Sequence, residues 1–165
     1  MNLITKLLPS SLVVIDLEVG SKKRLFEQIG LLFENERKVA MATVFESLFA
    51  REKLGSTGLG YGVAIPHGRI KGLRETCCAF IRTAQGVPFE SPDGQPVRLV
   101  FSMLVPEQAT EQHLQILSEL AQMFSDPAFR DALTNAASAE EAHNLLVQWS
   151  PFGSADAAPD RSAAL

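Results

Sequence analysis

Residues 97–105 read VRLVFSMLV, and the fold turns on them. A strand with one wet face alternates apolar and polar side chains, whereas this run is apolar on both faces for most of its length. Such a strand belongs in the middle of a sheet with helices on each side, so the expected architecture is an α/β sandwich. On its N-terminal side Pro88, Pro92, Gly94 and Pro96 mark a turn-rich connection, and before them Thr76–Arg82 reads as a second apolar strand. Further back, the β-branched run Leu12–Leu17 reads as another.

Helical patterns lie between and after these strands. From Lys22 to about Asn35, Leu25, Ile29 and Leu32 recur at helical spacing, with Phe26 and Phe33 widening the stripe. From Ala40 to about Lys53, Met41, Val44, Phe45 and Leu48 share one side, while Glu46, Arg51, Glu52 and Lys53 fall toward the end and the outer faces. Beyond Pro106 a further helix is expected, capped by Thr110, with Glu111 near the positive end of its dipole. His113, Ile116, Leu117, Leu120 and Phe124 form one stripe of it, which puts His113 at the N-terminal tip of an apolar face. Shorter helices follow over about Pro127–Leu133 and Ala139–Gln148, the second preceded by Ser138 with Glu141 three residues on, a capping box.

The chain has 165 residues, 46% hydrophobic and 21% charged, which suits one folded domain over residues 1–149. Residues 150–165 are rich in Ala, Ser, Pro and Asp without apolar periodicity and read as a flexible C-terminal tail. A net charge of -4 argues against nucleic acid as a direct partner, because a phosphate-backbone binder clusters Lys and Arg on one face. The opening MNLITKLLPSSLVVIDLEV is interrupted by Ser10, Ser11, Asp16 and Glu18 before it reaches a signal core or spanning length, so neither targeting nor membrane insertion is expected. The two cysteines, Cys77 and Cys78, are adjacent and would face opposite sides of a strand. No disulfide framework and no metal site is expected, and a reducing cytoplasm fits.

The chain has three histidines, and one of them ends the glycine-rich stretch GLGYGVAIPHGRI, residues 58–70. Pro66 fixes its own φ and lacks an N–H, so no sheet ladder is expected to continue there, and His67 is held at an element's edge, presented and not packed. Ahead of it, Arg51, Ser56, Thr57 and Gly58 make a polar loop whose uncovered N–H groups can approach an anion. Singly, each feature has a plain structural explanation: a connecting loop, a turn histidine, a helix-tip histidine over the core. His143 lacks such context and reads as structural or surface.

Together, His67, His113, Arg51, Arg69 and the loop would compose a site for a covalent phosphohistidine. A neutral nitrogen of His67 would attack a phosphoryl group, Arg51 would offset charge on its equatorial oxygens, and His113 with backbone amides would orient the product. The chain contains no GxxxxGK[ST] loop and no evident magnesium carboxylate cluster, so ATP is not the expected donor and no cofactor is expected. The donor would itself be a phosphoprotein.

REKLGSTGLGYGVAIPHGRI, residues 51–70, resembles the active-site segment of phosphotransferase-system IIA proteins of the mannitol/fructose class, especially the nitrogen-regulatory IIA branch. QPVRLVFSMLVPEQATEQHLQIL, residues 95–117, resembles the family's strand and following helix that carry its second histidine. The likeness spans residues 1 to 148. It implies a mixed sheet of about five strands flanked by helices, the mannitol-type IIA fold. It also implies His67 as the phosphorylated residue, His113 as the supporting histidine and Arg51 as the nearby arginine. A relay from phosphoenolpyruvate through an enzyme I and an HPr-like carrier (NPr) to this protein follows from the same resemblance. The branch is regulatory, acting on targets such as potassium-transport or metabolic proteins. Ser56, Thr57, Gly58, Leu59, Tyr61 and Arg69 are the expected phosphate- or partner-binding positions.

Two departures stand out: Tyr61 occupies a loop position where a small polar residue, commonly asparagine, is expected, and the tail beyond Trp149 has no family equivalent. Three readings stay open. One is a regulatory phosphocarrier, favoured by the nitrogen-branch likeness. The others are a sugar-specific IIA transferase passing phosphate to a separate IIB chain, and a binding module without phosphotransfer. A carrier needs a docking surface that excludes water, so an apolar collar around His67 is expected from Leu59, Tyr61, Val63 and Ile65 or their neighbours.

Overall fold

The computed structural model describes residues 2–108 and 111–151. In chain order it contains β1 (Val13–Leu17), α1 (Lys22–Arg37), α2 (Met41–Glu52), β2 (Gly58–Gly60), β3 (Val63–Ala64) and β4 (His67–Ile70). These are followed by β5 (Cys77–Val87), β6 (Val97–Pro106), α3 (Glu111–Phe124), α4 (Pro127–Thr134) and α5 (Ala139–Gln148). The expected cap Thr110 lies outside the described residues, as does the expected tail from residue 152 onward.

The stretch VRLVFSMLV is the axis of a six-stranded mixed sheet ordered β1-β5-β6-β3-β2, with β4 also on β6. β5 runs antiparallel to β6 on one flank. On the other, β3 and then β4 lie parallel to successive stretches of β6, around Leu99 and Val100 and then from Met103 to Pro106. β1 is parallel to β5, and β2 antiparallel to β3.

The apolarity of β6 on both faces has a direct structural cause. Leu99, Phe101, Met103 and Val105 pack with Ile116, Leu120, Leu133 and Leu146 of α3, α4 and α5. Val100 and Leu104 pack with Phe26, Ile29, Val44 and Leu48 of α1 and α2 on the opposite face. Each such side chain contributes about 1.5–3 kcal/mol of hydrophobic stabilisation, so the sheet is held from both sides. Cys77 and Cys78 fall in opposite layers and are free. Burial pushes the Cys77 thiol up to about 11 and raises Cys78 as well, so neither acts as a thiolate at neutral pH.

Local signals set most boundaries. Ser21 Oγ accepts from the Arg24 N–H at 3.1 Å to start α1, and Ser138 Oγ accepts from the Glu141 N–H at 3.1 Å to start α5. Arg82, buried on β5, closes the far end of α4. Its Nη1 donates to the carbonyls of Leu133, Thr134 and Ala136 at 2.9, 3.2 and 2.8 Å, where a cation complements the helix dipole.

Three expectations are corrected. β5 continues to Val87 and does not stop at Arg82, because the register shifts between those residues and breaks the periodicity of the run. The glycine-rich stretch contains β2, β3 and β4, each too short, and β2 too poor in side chains, to show alternation. Glu52 is not on an outer face of α2 but buried. Among the described residues no helix is long and apolar enough to cross a membrane.

Candidate active site

His67 is the first residue of β4 and stands opposite Met103 of β6. Pro66 cannot donate, yet its carbonyl accepts from the Met103 N–H at 3.0 Å, so the pairing reaches the histidine where a break was expected. The next residue explains how α2 comes close. A Cβ at Gly68 would collide with Ser47 Oγ and sit 3.0 Å from the Ser47 carbonyl oxygen. Glycine therefore lets α2 press onto β4, where Ser47 Oγ donates to the Arg69 carbonyl at 2.8 Å. The last turn of α2 then brings Arg51 to the histidine.

His67, His113, Arg51 and Arg69 line one cavity of about 660 Å³, together with Ser47 and Leu54. The two imidazole centroids are 6.4 Å apart with the rings tilted by 41°. Arg51 Nη1 donates to the Gly55 carbonyl at 2.8 Å, and Arg69 Nη1 to the Glu107 carbonyl at 2.6 Å. A guanidinium has five N–H donors, so each arginine is oriented by one bond and keeps others for an anion.

The tautomer of His67 follows from its neighbour. Nδ1 is 2.8 Å from the Ile65 carbonyl oxygen. A carbonyl only accepts, so Nδ1 carries the hydrogen and Nε2 the lone pair. Burial, above all, holds the His67 pKa below its ordinary value, with the Arg51 and His113 charges adding to that effect. The Ile65 carbonyl and the Glu52 carboxylate pull the other way without reversing it. The result is a half-buried imidazole that is neutral at neutral pH, with a defined nucleophilic nitrogen.

Other positions singled out in the sequence serve elsewhere. Ser56 Oγ donates to the Phe89 carbonyl at 2.6 Å and accepts from the Gly58 N–H at 3.1 Å. Thr57 is buried, its hydroxyl donating to Glu52 Oε1 at 2.7 Å and its N–H to Oε2 at 3.1 Å. A Cβ at Gly58 would collide with Ser91, so this glycine serves close packing. None of the three lines the cavity.

Leu59 and Tyr61 are exposed but also outside the lining, and Val63 and Ile65 are core residues on the α3–α5 side, so these side chains do not form a collar around the histidines. The exposed apolar side chain in the lining is Leu54, 84% exposed, while Leu114, 60% exposed, follows His113 in the chain but is outside the lining. Hydrophobicity alone did not separate these from core leucines. Tyr61 has φ 58, donates its N–H to Asp93 Oδ2 at 2.8 Å, and lies under Arg130 at 4.4 Å. Asparagine tolerates that left-handed backbone better, which gives the expectation of a small polar residue a conformational basis. His143 Nε2 bonds to the Leu8 carbonyl at 2.8 Å, a structural role as read from the sequence.

Comparison with known proteins agrees with this architecture. Residues 6–149 match the family described as phosphoenolpyruvate-dependent sugar phosphotransferase system, EIIA 2. A nitrogen regulatory protein of Pseudomonas aeruginosa is 46% identical over 129 residues, covering 78% of this chain and 84% of its own. The crystal structure of nitrogen regulatory protein IIA-Ntr from Neisseria meningitidis superposes with a TM-score of 0.84 at 57% identity, covering 88% of this chain and 99% of that one. IIA mannitol from Escherichia coli, at 24% identity and a TM-score of 0.69 over 81% of this chain and 95% of that one, shares the fold. With its central strand, helix layers and paired histidines accounted for, the chain belongs to the EIIA type 2 family of the phosphotransferase system, on its nitrogen-regulatory IIA branch.

Proposed function

We propose that this protein is a regulatory phosphocarrier of the cytoplasm, with residues 1–149 as its working domain. His67 accepts a phosphoryl group from an HPr-like phosphohistidine carrier, and its phosphorylation state controls which target proteins it binds. The observation that carries this reading is the Nδ1–H of His67 held 2.8 Å from the Ile65 carbonyl inside a cavity shared with Arg51 and His113.

The chemistry follows from that arrangement. The Nε2 lone pair attacks phosphorus, the N–P bond of the donor histidine breaks, and its electron pair returns to the donor ring. The hydrogen on Nδ1 stays in place, and the Ile65 carbonyl stabilises the positive charge that grows on the ring as Nε2 bonds to phosphorus. Arg51, Arg69 and His113 face the phosphoryl oxygens, so the transferred charge is met by groups already in position. Leu54, exposed in the cavity lining, offers apolar surface on which the carrier docks and from which water is displaced.

Regulation has a physical basis in the same place. The phosphoryl oxygens carry a charge of about -1.5 to -2 at pH 7, offset in part by the positive ring that keeps its Nδ1 hydrogen, so the cavity lined by Leu54, Arg51 and Arg69 becomes more negative by about one charge. A target fitted to one state therefore meets a changed field in the other, and the nitrogen-branch relatives support regulation over sugar delivery. Incubation with phosphoenolpyruvate, enzyme I and the HPr-like carrier, read by intact mass under alkaline conditions, tests the proposal. A phosphate-sized shift in wild type and none in His67→Ala is expected. No shift in wild type with an active carrier would leave a binding module that does not transfer phosphate.

A further inference from the structure

Glu52 is the last residue of α2, yet it is only 7% exposed, where a glutamate at a helix end ordinarily reaches water. Both of its oxygens are engaged. Oε1 accepts from Thr57 Oγ1 at 2.7 Å, while Oε2 accepts from the Thr57 N–H at 3.1 Å and from Lys22 Nζ at 2.9 Å. Lys22 opens α1, and its ammonium also stands 4.8 Å from the Phe89 ring centroid. Ser56 completes the joint by donating to the Phe89 carbonyl. One carboxylate thus clamps the start of α1, the end of α2 and the entry to the glycine-rich stretch.

The clamp encloses a short turn. Its two ends, residues 52 and 57, are joined by the carboxylate, and between them the Gly55 carbonyl accepts from Arg51 Nη1 at 2.8 Å. A guanidinium on a long side chain samples many rotamers unless something receives it. Here the receiver is a carbonyl whose position depends on the turn, and the turn is tied at both ends by Glu52. A buried ion pair is weak evidence for stability, because desolvation of both partners offsets most of their attraction. Its use here is more specific than stability.

Resting on the phosphocarrier reading, we infer that Glu52 is a positioning residue for phosphotransfer: it ties the 52–57 turn so that the Gly55 carbonyl aims Arg51 beside His67. Glu52 does not touch the phosphoryl group and acts through Arg51. Its negative charge reaches His67 as well, raising that histidine's proton affinity against the larger effect of burial. Removing the charge while keeping the shape takes that contribution away, and withdrawal of Arg51 takes away an opposing and larger one, so the His67 titration midpoint falls only where Arg51 stays in place.

The test uses the full chain and its HPr-like carrier, with Glu52→Gln, Arg51→Gln and the double variant. Single-turnover phosphorylation is measured over a range of carrier concentrations, and His67 is titrated by NMR in the unphosphorylated proteins. In Glu52→Gln the maximal rate is expected to fall on the order of tenfold, as expected for a misplaced charged group, with half-saturation changed less than about twofold. The His67 midpoint does not fall below that of wild type, because the Arg51 charge withdraws along with that of Glu52. The double variant is expected to be no slower than Arg51→Gln alone, because the two residues act as one unit.

Additive losses, or an unchanged rate in folded Glu52→Gln, overturn the inference while leaving the phosphocarrier reading intact. Wild type that accepts no phosphate from an active carrier overturns both. Should Glu52→Gln fail to fold, Thr57→Val removes one arm of the clamp with little change in volume. It must then show a smaller loss that also vanishes in the Arg51→Gln background, and a loss that persists there overturns the inference.

Discussion

His67 and His143 each hold a ring nitrogen 2.8 Å from a backbone carbonyl, but they sit in regions with different work. The bond of His67 goes to Ile65, two residues back, so it joins no distant parts and does one thing, which is to choose a tautomer. The other nitrogen is left for a cavity that also contains Arg51 and His113. The bond of His143 reaches Leu8 across 135 positions and ties α5 to the N-terminal segment. Around it, Asn2 Nδ2 donates to the carbonyls of Leu146 and Trp149 at 2.8 and 2.9 Å, and Thr5 Oγ1 to that of Val147 at 3.1 Å. On the proposed function the same contact serves chemistry in one place and a joint in the other, and the neighbours decide which.

The largest expected effect separates the two directly. His67→Ala abolishes phosphorylation by the carrier, while His143→Ala leaves its rate within about twofold. Loss of phosphorylation in folded His143→Ala would break the comparison. Next comes Arg82→Ala, which removes the group bonded to three carbonyls behind α4 and costs about 3 kcal/mol in denaturant unfolding, with the His67 titration unmoved. Gly68→Ala costs about 2 kcal/mol by overpacking against Ser47, and it slows phosphorylation as well because α2 carries Arg51 away from β4. His143→Ala costs only about 1 kcal/mol, the net value of one hydrogen bond.

The smallest effect sharpens the comparison through pH. His67 titrates below the ordinary imidazole value of about 6.5, and Arg51→Gln moves the midpoint up because a repelling charge is gone. Between 6.5 and the lower folded value the unfolded chain binds a proton that the folded chain does not, so stability present above that window is lost as pH falls through it. His67→Ala flattens this dependence, which urea unfolding at a series of pH values measures.

Much of the fold and of the candidate site is legible in the sequence. A strand apolar on both faces required helices on both sides, and VRLVFSMLV became β6. The helices of Leu25, Val44 and Ile116 carried their periodicity openly, because amphipathic faces over more than ten residues outweigh local exceptions. His67, His113 and Arg51 were visible from their settings, and they share one cavity. The short strands of the glycine-rich stretch were hidden, since two to four residues cannot display a period. Ser56 and Thr57 were legible as polar but not as inward-facing, because a hydroxyl's partner is set by tertiary contacts with Phe89 and Glu52. Glu52 itself read as a solvated helix end, and its burial depends on Thr57 and on Lys22, thirty residues earlier in the chain.

The proposed phosphotransfer depends most on one hydrogen, the one on His67 Nδ1. Long-range proton–nitrogen NMR correlation on the ring, before and after phosphorylation by the carrier, reads it directly. The predicted result is a neutral Nδ1–H tautomer in the free protein and phosphorus bonded to Nε2 in the product. A hydrogen on Nε2 in the free protein, or phosphorus on Nδ1, would contradict it.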